Sequence, residues 1–424
     1  MIFSTLFSVA FFIKIYFSKN NSISKLLYKF FFILSILSFF HLDININSNV
    51  SANNFLNFSF ILGLLIILID GFKNYTKIDS IELISLTSFQ KKIISIITIF
   101  GVIAFIFNTL LVYAIIDYQA INEIAITALK NDSGADLYFK SNYPRFIRTF
   151  THFTSPFGYL FLCLHFYFLS KNKLKLVLLY GILSLIIPLH GMQGLSRAAP
   201  AQYILLYFFM YYYVNKSFSV EIKKKFNFFL RLITILIVVS FLYTSYTRFS
   251  DAFFYVNLLG SETSPIELIS YSFIDYLTQW IPYGIDSLNY YNLNLKFVYS
   301  NFKPLFNYIT GFLGFDIDYD PNHFYNIYGG YTSKFIGLIP TLIFDMGYIL
   351  SFVFVLIFRV IIYKKNTSKT ISFSNLVKIP IFLSLILMSF ANAWLAYLLF
   401  HIAIIYTFIA FFFFKFKIYF NKTA

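Results

Sequence analysis

Cysteine is almost absent from this sequence, and so is any glycine-rich phosphate-binding loop. The single cysteine, Cys163, lies within an apolar segment, which excludes an internal disulfide and a cysteine-based metal cluster. The short lysine-rich connections contain no Walker-type sequence, so we expect no nucleotide-binding domain and no ATP-driven chemistry. Strong internal repeats and matched pairs of Gly- or Pro-broken helices, which indicate inverted-repeat transporters, are missing as well.

Charged residues are scarce, at 12% of the 424 residues, whereas hydrophobic residues make up 59% and aromatic residues 22%. A soluble domain averages about 45–50% apolar residues. Apolar windows of roughly 18 residues or more recur along the whole length, which is typical of an all-α, polytopic membrane protein. The first window lacks a basic leader and a small-residue cleavage site, so we expect it to be a retained helix.

Length and periodicity predict about 11 membrane helices in a single domain over 1–424. They are expected at 1–17, 28–42, 55–72, 93–117, 149–169, 174–190, 199–214, 226–244, 335–363, 377–391 and 394–415. The ninth is long enough to begin as a surface or re-entrant piece. Two long connections, 118–148 and 245–334, interrupt the series.

The net charge of +15 is distributed in a pattern that indicates membrane orientation rather than nucleic-acid binding. Lysines cluster in alternate connections, at 19–29, 73–92, 171–175, 216–225, 364–378 and 415–422. The positive-inside rule places these connections in the cytoplasm, the N-terminus outside and the C-terminus inside. Both long connections then lie outside, so we expect the chemistry at the outer face or its membrane boundary.

Arg197 runs against this charge distribution. It lies in a short outer connection, His190-Gly-Met-Gln-Gly-Leu-Ser-Arg-Ala-Ala-Pro200, just before the seventh predicted helix, with proline in the favoured first turn. The positive end of the helix dipole and the guanidinium would together suit a phosphate or diphosphate. Gly191 and Gly194 would let a ligand approach the backbone closely. The alternative is an arginine that extends to lipid headgroups.

Three other outer arginines are candidates for the same role. Arg145 and Arg148 come just before the fifth predicted helix, and their spacing of three places them on one helix face. Arg248 follows the eighth predicted helix, at the start of a connection that is richer in acidic residues. The alternatives are interfacial anchoring for the first two arginines and an ion pair for Arg248.

Two further titratable groups are candidates for catalysis. His323 lies in the acidic, aromatic sequence Asp316-Ile-Asp-Tyr-Asp-Pro-Asn-His-Phe-Tyr-Asn326, and an imidazole near the membrane would suit a general base. The alternating carboxylates lack the glycine and terminal glutamate of an EF-hand, so we expect no metal site. Asp345 lies inside the ninth predicted span, where a carboxylate is costly unless it is paired or faces a wet cavity. It has either a structural or a catalytic role.

Taken in order, three sequences resemble the O-antigen polymerase family, the Wzy-type oligosaccharide repeat-unit polymerases of bacterial envelopes. They are Gly194-Leu-Ser-Arg197, then Ser270-Tyr-Ser-Phe-Ile-Asp-Tyr276 with the later Pro282, then Tyr331-Thr-Ser-Lys-Phe-Ile-Gly-Leu-Ile-Pro340 followed by Asp345-Met-Gly347. The related O-antigen ligases present outer arginines and then a loop histidine, an order matched by Arg197, Arg248 and His323. Their His-Asn pair is not matched, because Phe324 follows the histidine here.

The resemblance implies a GT-C-like membrane glycosyltransferase of the bacterial inner membrane, with a large periplasmic loop. Its substrate would be a glycan on undecaprenyl diphosphate, and its partners a flippase and a chain-length regulator among the membrane lipids. Arg197 and Arg248 would stabilise the diphosphate leaving group, with Arg145 or Arg148 as helpers. His323, or its rival Asp320, would activate the acceptor hydroxyl. The sugar–phosphate bond is already activated, so no cofactor is needed.

Two alternatives stay open at this point. An O-antigen ligase, or another lipid-linked-glycan glycosyltransferase, would use the same donor and differ in its acceptor. A lipid-linked glycan flippase or other transporter would place charged residues along a path through many helices. Few charges fall inside the predicted spans, chiefly Asp345 with Asp70 and Asp117 at span edges, which favours the polymerase.

Overall fold

The computed structural model describes residues 2–40, 51–83, 85–121, 144–193, 198–224, 263–290, 337–364, 369–390 and 398–417. These residues are mostly helical. The helices are α1 (Ile2–Phe17), α2 (Ile23–Leu37), α3 (Ala52–Asp70), α4 (Ser88–Ile121), α5 (Arg145–Thr154), α6 (Phe157–Ser170), α7 (Leu174–Ser184), α8 (Ile186–Gln193), α9 (Ala198–Val214), α10 (Pro265–Thr278), α11 (Trp280–Ser287), α12 (Leu338–Ile362), α13 (Phe373–Leu387) and α14 (Leu398–Lys415).

Within the described residues, five segments are long and apolar enough to cross a membrane, and a sixth is obtained if the bent pair α5–α6 forms one span. The five are Ile23–Phe40, Ala52–Asp70, Ser88–Ala114, Leu174–Gln193 and Leu338–Ile362. The mostly helical class is therefore confirmed, and the apolar helices are consistent with a membrane protein. The count of about 11 spans and the GT-C-like architecture stay predictions, and the predicted helix at 226–244 lies outside the described residues.

Helix starts differ from their predicted positions where a capping residue precedes the apolar run. α2 begins at Ile23 rather than 28, because the Ser22 side chain accepts a hydrogen bond from the backbone N–H of Lys25. α3 begins at Ala52 rather than 55, because Ser51 caps it in the same way. Hydropathy alone misses these first turns because they contain polar residues.

The described residues group into two compact units, which is a finer division than the single domain predicted for 1–424. The first unit contains Met1–Thr76, Ser219–Asn366 and Met388–Ala396. The second contains Lys77–Phe218, Thr367–Leu387 and Tyr397–Ala424. Each unit therefore combines segments that are distant in the sequence.

In the first unit, α10 and α11 lie within the predicted outer connection 245–334, so that connection contains helical structure. Ser264 and Glu267 form a capping box that begins α10, and their hydrogen bonds hold the pKa of the Glu267 carboxyl below its ordinary value. Trp280 then packs against Phe7 and Phe31, with ring centroids 5.3 and 6.1 Å apart. This connection thus supplies a core residue to the unit.

α12 is interrupted within the first unit. Gly347 has φ +74° and ψ 174°, so the backbone leaves the helical conformation there, in a region that favours glycine. Just beyond the break, the Tyr348 hydroxyl donates to Oδ1 of Asn57 on α3 at 2.7 Å. Asn57 also donates to the backbone oxygen of Ile285 and to the side chain of Asn289. α3, α11 and α12 are joined by these polar contacts.

In the second unit, α5 and α6 form one apolar segment with a bend of 43°. Hydroxyl groups of Thr151, Thr154 and Ser155 donate hydrogen bonds to carbonyls of the preceding turn, and Pro156 follows. Such side-chain hydrogen bonds and a proline are known to bend helices, and together they explain the bend. Beyond the bend, a Cβ added to Gly158 would lie 2.6 Å from Ile187, so α6 packs closely on α8.

The lysine-rich end of the second unit contains a two-stranded parallel sheet, in which β1 (Ser80–Glu82) pairs with β2 (Thr370–Ser372). The backbone N–H of Asp79 donates to the Lys369 oxygen at 2.7 Å, and its carboxylate pairs with Lys216 at 3.5 Å. Lysines 91, 171 and 173 lie at the starts or ends of neighbouring helices. This end of the unit corresponds to the predicted cytoplasmic side.

Candidate functional site

A group of polar side chains lies at the opposite end of the second unit, away from the lysine-rich sheet. We call it the polar cluster, and it consists of Arg148 and His152 on α5, His190 and Gln193 on α8, and Asn108 on α4. Asn108 comes 20 residues after the start of α4, a helical rise of about 30 Å, which is the thickness of a bilayer hydrocarbon core. Along α4, the cluster is therefore separated from the lysine-rich end by about the thickness of one hydrocarbon core.

α5 places two members of the polar cluster on one face. Phe146 and Phe150 pack on Phe107 of α4, with ring centroids 6.3 and 5.8 Å apart. Arg148 and His152 are offset from these aromatic residues by two positions and from each other by four, so they share a different face of the helix. The aromatic contact fixes the rotation of α5 and thereby the direction of the polar pair.

His190 on α8 faces this pair. The rings of His152 and His190 have centroids 5.4 Å apart and an interplanar angle of 60°. A neutral imidazole has one nitrogen that donates a hydrogen bond and one that accepts. The two adjacent rings therefore give the cluster both hydrogen-bond donors and hydrogen-bond acceptors. The contact joins α5 and α8 at the end where α8 stops.

Three nitrogen atoms of the polar cluster are shielded from solvent and have no hydrogen-bond partner among the described residues. They are Nε of Arg148, Nε2 of His152 and Nδ1 of His190. Leaving a buried polar atom unsatisfied costs about 1–3 kcal/mol, so such atoms in a folded protein require a reason.

The amides of the polar cluster are partnered. Gln193 donates from Nε2 to Oδ1 of Asn108 at 2.5 Å, and Asn108, fully buried, donates to the Ala104 oxygen at 2.7 Å. These bonds tie the last residue of α8 to the middle of α4. The cluster thus combines a fixed amide pair with a cation and two imidazoles that keep free bonding capacity.

Gly191 has a packing role rather than the ligand-contacting role expected from the sequence. A Cβ added there would overlap the Cβ of Ala199, so α8 and α9 approach each other closely just beside His190. Gly194, the other glycine of the pair, lies outside the described residues. The close approach fixes the position of α8 beneath the cluster.

Most of the predicted site residues fall where the structure gives no description. Arg197, Arg248, Asp320 and His323 all lie outside the described residues, so their predicted roles stay predictions. Arg145 is the first residue of α5, and Arg148 lies one turn further along the same helix. Arg148 shares a helix face with His152, whose ring in turn contacts that of His190.

Asp345 belongs to the first unit. It is buried, with 2% of its surface exposed, and it lies two residues before the break at Gly347. Interrupted membrane helices provide backbone groups and side chains for ligands inside a span. Asp345 lies inside an apolar helix, as predicted, and its structural or catalytic role stays a prediction.

Sequence reasoning did not select His152 and His190. The available signal was the spacing of four between Arg148 and His152 at the start of an apolar segment, which places a cation and an imidazole on one helix face. His190 was noted only as the first residue of the sequence containing Arg197. Contact between α5 and α8 is what gives both histidines their significance. No protein-family model matches this chain, and neither a curated protein nor a solved structure matches it.

Proposed function

We propose that this protein polymerises oligosaccharide repeat units carried on undecaprenyl diphosphate, at the outer face of a bacterial inner membrane. The sequence resemblance suggests this reaction, and the apolar helices and the absence of a nucleotide-binding sequence are consistent with it. The product would be an O-antigen or a related surface polysaccharide. A flippase would supply the donor, and a chain-length regulator would act on the polymer.

The observation that supports this proposal best is Arg148, a cation whose Nε is shielded from solvent at the end of an apolar helical unit. A guanidinium nitrogen that is shielded and unpartnered favours an opposite charge as its partner. A guanidinium forms two parallel hydrogen bonds with phosphate oxygens, so a lipid diphosphate is a well-matched partner. The lipid chain of such a substrate would remain among apolar surfaces while its diphosphate reaches the arginine.

The proposed chemistry is an attack by an acceptor hydroxyl on the anomeric carbon of the donor. The bond from that carbon to the diphosphate oxygen breaks, and the lipid diphosphate leaves with the electron pair. Arg148 would stabilise the charge on the leaving group, together with Arg197 and Arg248 and with Arg145 as a helper. His323 or Asp320 was the base expected from the resemblance. An O-antigen ligase would use the same donor site with a lipid A-core acceptor.

A transporter is the second candidate, and the interrupted helix α12 favours it. A buried carboxylate, Asp345, lies next to the break at Gly347, an arrangement found where transporters hold ions or substrates. This reading predicts that Asp345→Asn stops movement of the lipid-linked glycan across the membrane without affecting glycosyl transfer.

Gene deletion followed by gel analysis of the surface polysaccharide separates these functions. We expect single repeat units in place of long chains. Full-length polymer retained on its carrier lipid would instead support the ligase, and precursor accumulating inside would support the transporter.

The role of Arg148 is tested by the variant Arg148→Gln, measured as repeat-unit transfer by purified protein from a polyprenyl diphosphate donor. We expect a loss of roughly 10²-fold or more, as for removal of one transition-state donor. Lys175→Gln is the matched control, because it removes an exposed cation from the lysine-rich end of the same unit. Normal chain lengths from Arg148→Gln at unchanged abundance would contradict the proposed site.

A further inference from the structure

We infer that His152 accepts the proton of the acceptor hydroxyl, and that His190 positions the His152 ring for this step. The inference rests on the proposed function, and it assigns the base to the polar cluster rather than to His323 or Asp320. It follows from the arrangement of the cluster and not from the resemblance.

Arg148 and His152 are spaced along α5 as the proposed reaction requires. His152 comes four residues after Arg148, so the two side chains begin about 6 Å apart along one helix face. In an inverting transfer, the breaking bond to the diphosphate and the incoming hydroxyl lie on opposite sides of one carbon. A cation for the leaving group and a base for the incoming group must therefore be separated by a few ångströms, with contacts of about 3 Å to each. α5 supplies this separation on a single rigid element.

The imidazole of His152 has a ring nitrogen without a hydrogen-bond partner among the described residues. Nε2 of His152 is shielded and has no partner among the described residues, so it is available to a hydroxyl group. The ring is held on one side by His190, at 5.4 Å between centroids. An ordered water could also satisfy this nitrogen, and the two explanations predict different effects of substitution on catalysis.

The charges that surround His152 favour a neutral imidazole before the donor binds. The rings of His152 and His190 lie 5.4 Å apart between centroids, so two imidazolium charges there would repel each other strongly in a shielded site. At least one ring is therefore neutral before the donor arrives. The neighbouring groups on α4 and α8, Asn108 and Gln193, are uncharged amides, and α14, which packs on α5, contributes the buried His401. A bound diphosphate would offset the positive charge and allow His152 to keep the proton it receives.

The proposed step is balanced without any further reactant. The hydroxyl oxygen forms a bond to the anomeric carbon, and its proton moves to Nε2 of His152. The bond between that carbon and the diphosphate oxygen breaks, and the lipid diphosphate leaves beside Arg148 with the electron pair. The imidazolium then releases its proton to water after the product departs. His190 does not touch the substrate in this scheme.

The test compares His152→Gln and His190→Gln with the unchanged protein in transfer from a polyprenyl diphosphate oligosaccharide, with donor binding measured separately. For His152→Gln we expect transfer to fall about 10²–10⁴-fold, the usual contribution of a general base, with donor affinity nearly unchanged. We also expect the acidic limb of the pH–rate profile to disappear. For His190→Gln we expect a smaller loss, with the acidic limb displaced but still present.

Several results would overturn the inference. Transfer by His152→Gln at the normal rate with an unchanged pH profile would show that the ring is structural or water-bonded. Loss of donor binding without loss of the acidic limb would show that it holds the donor instead. If His152→Gln unfolds, His152→Asn keeps a polar group nearer the backbone and gives the same comparison.

The same measurements separate this inference from the proposed function. If the unchanged protein transfers no sugar from any polyprenyl diphosphate, the proposed function fails, and the base assignment fails with it. If the protein is active and Arg148→Gln loses donor binding while both histidine variants remain fully active, only the base assignment fails.

Discussion

The hydroxyl of Tyr348 lies 2.7 Å from Oδ1 of Asn57, so the residue that restarts α12 after its break is bonded to the second turn of α3. Asn57 is almost completely buried and uses its amide nitrogen for Ile285 and Asn289. This contact determines where the second half of α12 begins relative to α3 and α11.

We therefore expect Tyr348→Phe to destabilise the first unit by about 1 kcal/mol, because it removes a hydrogen bond to a buried acceptor. The measurement is thermal unfolding in detergent. Tyr363→Phe is the control, since Tyr363 is 48% exposed and follows the end of the same helix. Equal unfolding temperatures for the two variants would show that the Asn57 contact contributes nothing.

A second prediction concerns Gly191, where α8 and α9 pack closely. Gly191→Ala should cost about 1–3 kcal/mol by overpacking and should reduce transfer activity, because it moves α8 and the adjacent His190. Gly63→Ala is the matched control: a Cβ there meets no atom within 4 Å, and alanine is the better helix former. Activity and unfolding temperature measured on both variants check the prediction, which is wrong if Gly191→Ala behaves like Gly63→Ala.

Asp70 carries a third prediction. Its carboxylate accepts from Lys14 at 2.9 Å and from the Tyr28 hydroxyl at 2.7 Å, and the ion pair is about one quarter to one third exposed. Asp70→Asn should cost about 1–3 kcal/mol, because a charged acceptor is lost and Lys14 keeps its charge. In a double-mutant cycle, Lys14→Met should recover part of this loss. Additive effects of the two substitutions would exclude coupling between the side chains.

The capping box of α10 gives a pH prediction. Folding lowers the pKa of Glu267, so its contribution to stability is complete above the unfolded pKa and is lost as the pH falls through the folded pKa. Amide hydrogen exchange in the first turn of α10 should therefore accelerate relative to other helices as the solution becomes acidic. In Glu267→Gln this relative acceleration should be absent. If the first turn of both proteins responds alike, the carboxylate does not control it.

Hydropathy was sufficient to predict most helix positions, because apolar runs of this length have few other solutions in a membrane protein. It could not predict the break at Gly347, since glycine is common in membrane helices and its conformation depends on tertiary contacts such as that of Tyr348. It also gave no indication of the β1–β2 pairing, which joins two three-residue segments about 290 positions apart along the sequence. Pairing at that distance depends on how the surrounding helices pack.

The candidate site was predicted less completely than the helices. Arg148 could be selected because an arginine at the start of an apolar segment is unusual. His152 and His190 look ordinary along the sequence, and only the tertiary structure brings their rings, from α5 and α8, to 5.4 Å between centroids. Asp345, in contrast, could be selected from the sequence. A carboxylate inside an apolar run is unusual, because burial of its charge needs a specific environment.

The length of α4 has a consequence for the lipid that surrounds the protein. Its 34 residues rise by about 51 Å, well beyond the roughly 30 Å of a hydrocarbon core. If α4 crosses the bilayer from its lysine-rich end, the depth of Asn108 and of its partner Gln193 would depend on bilayer thickness as well as on the fold. In thick bilayers the cluster would sit among acyl chains, out of reach of a substrate's headgroup, whereas thin bilayers would raise it into water. We therefore expect the activity of the protein to depend on the acyl-chain length of the surrounding lipid.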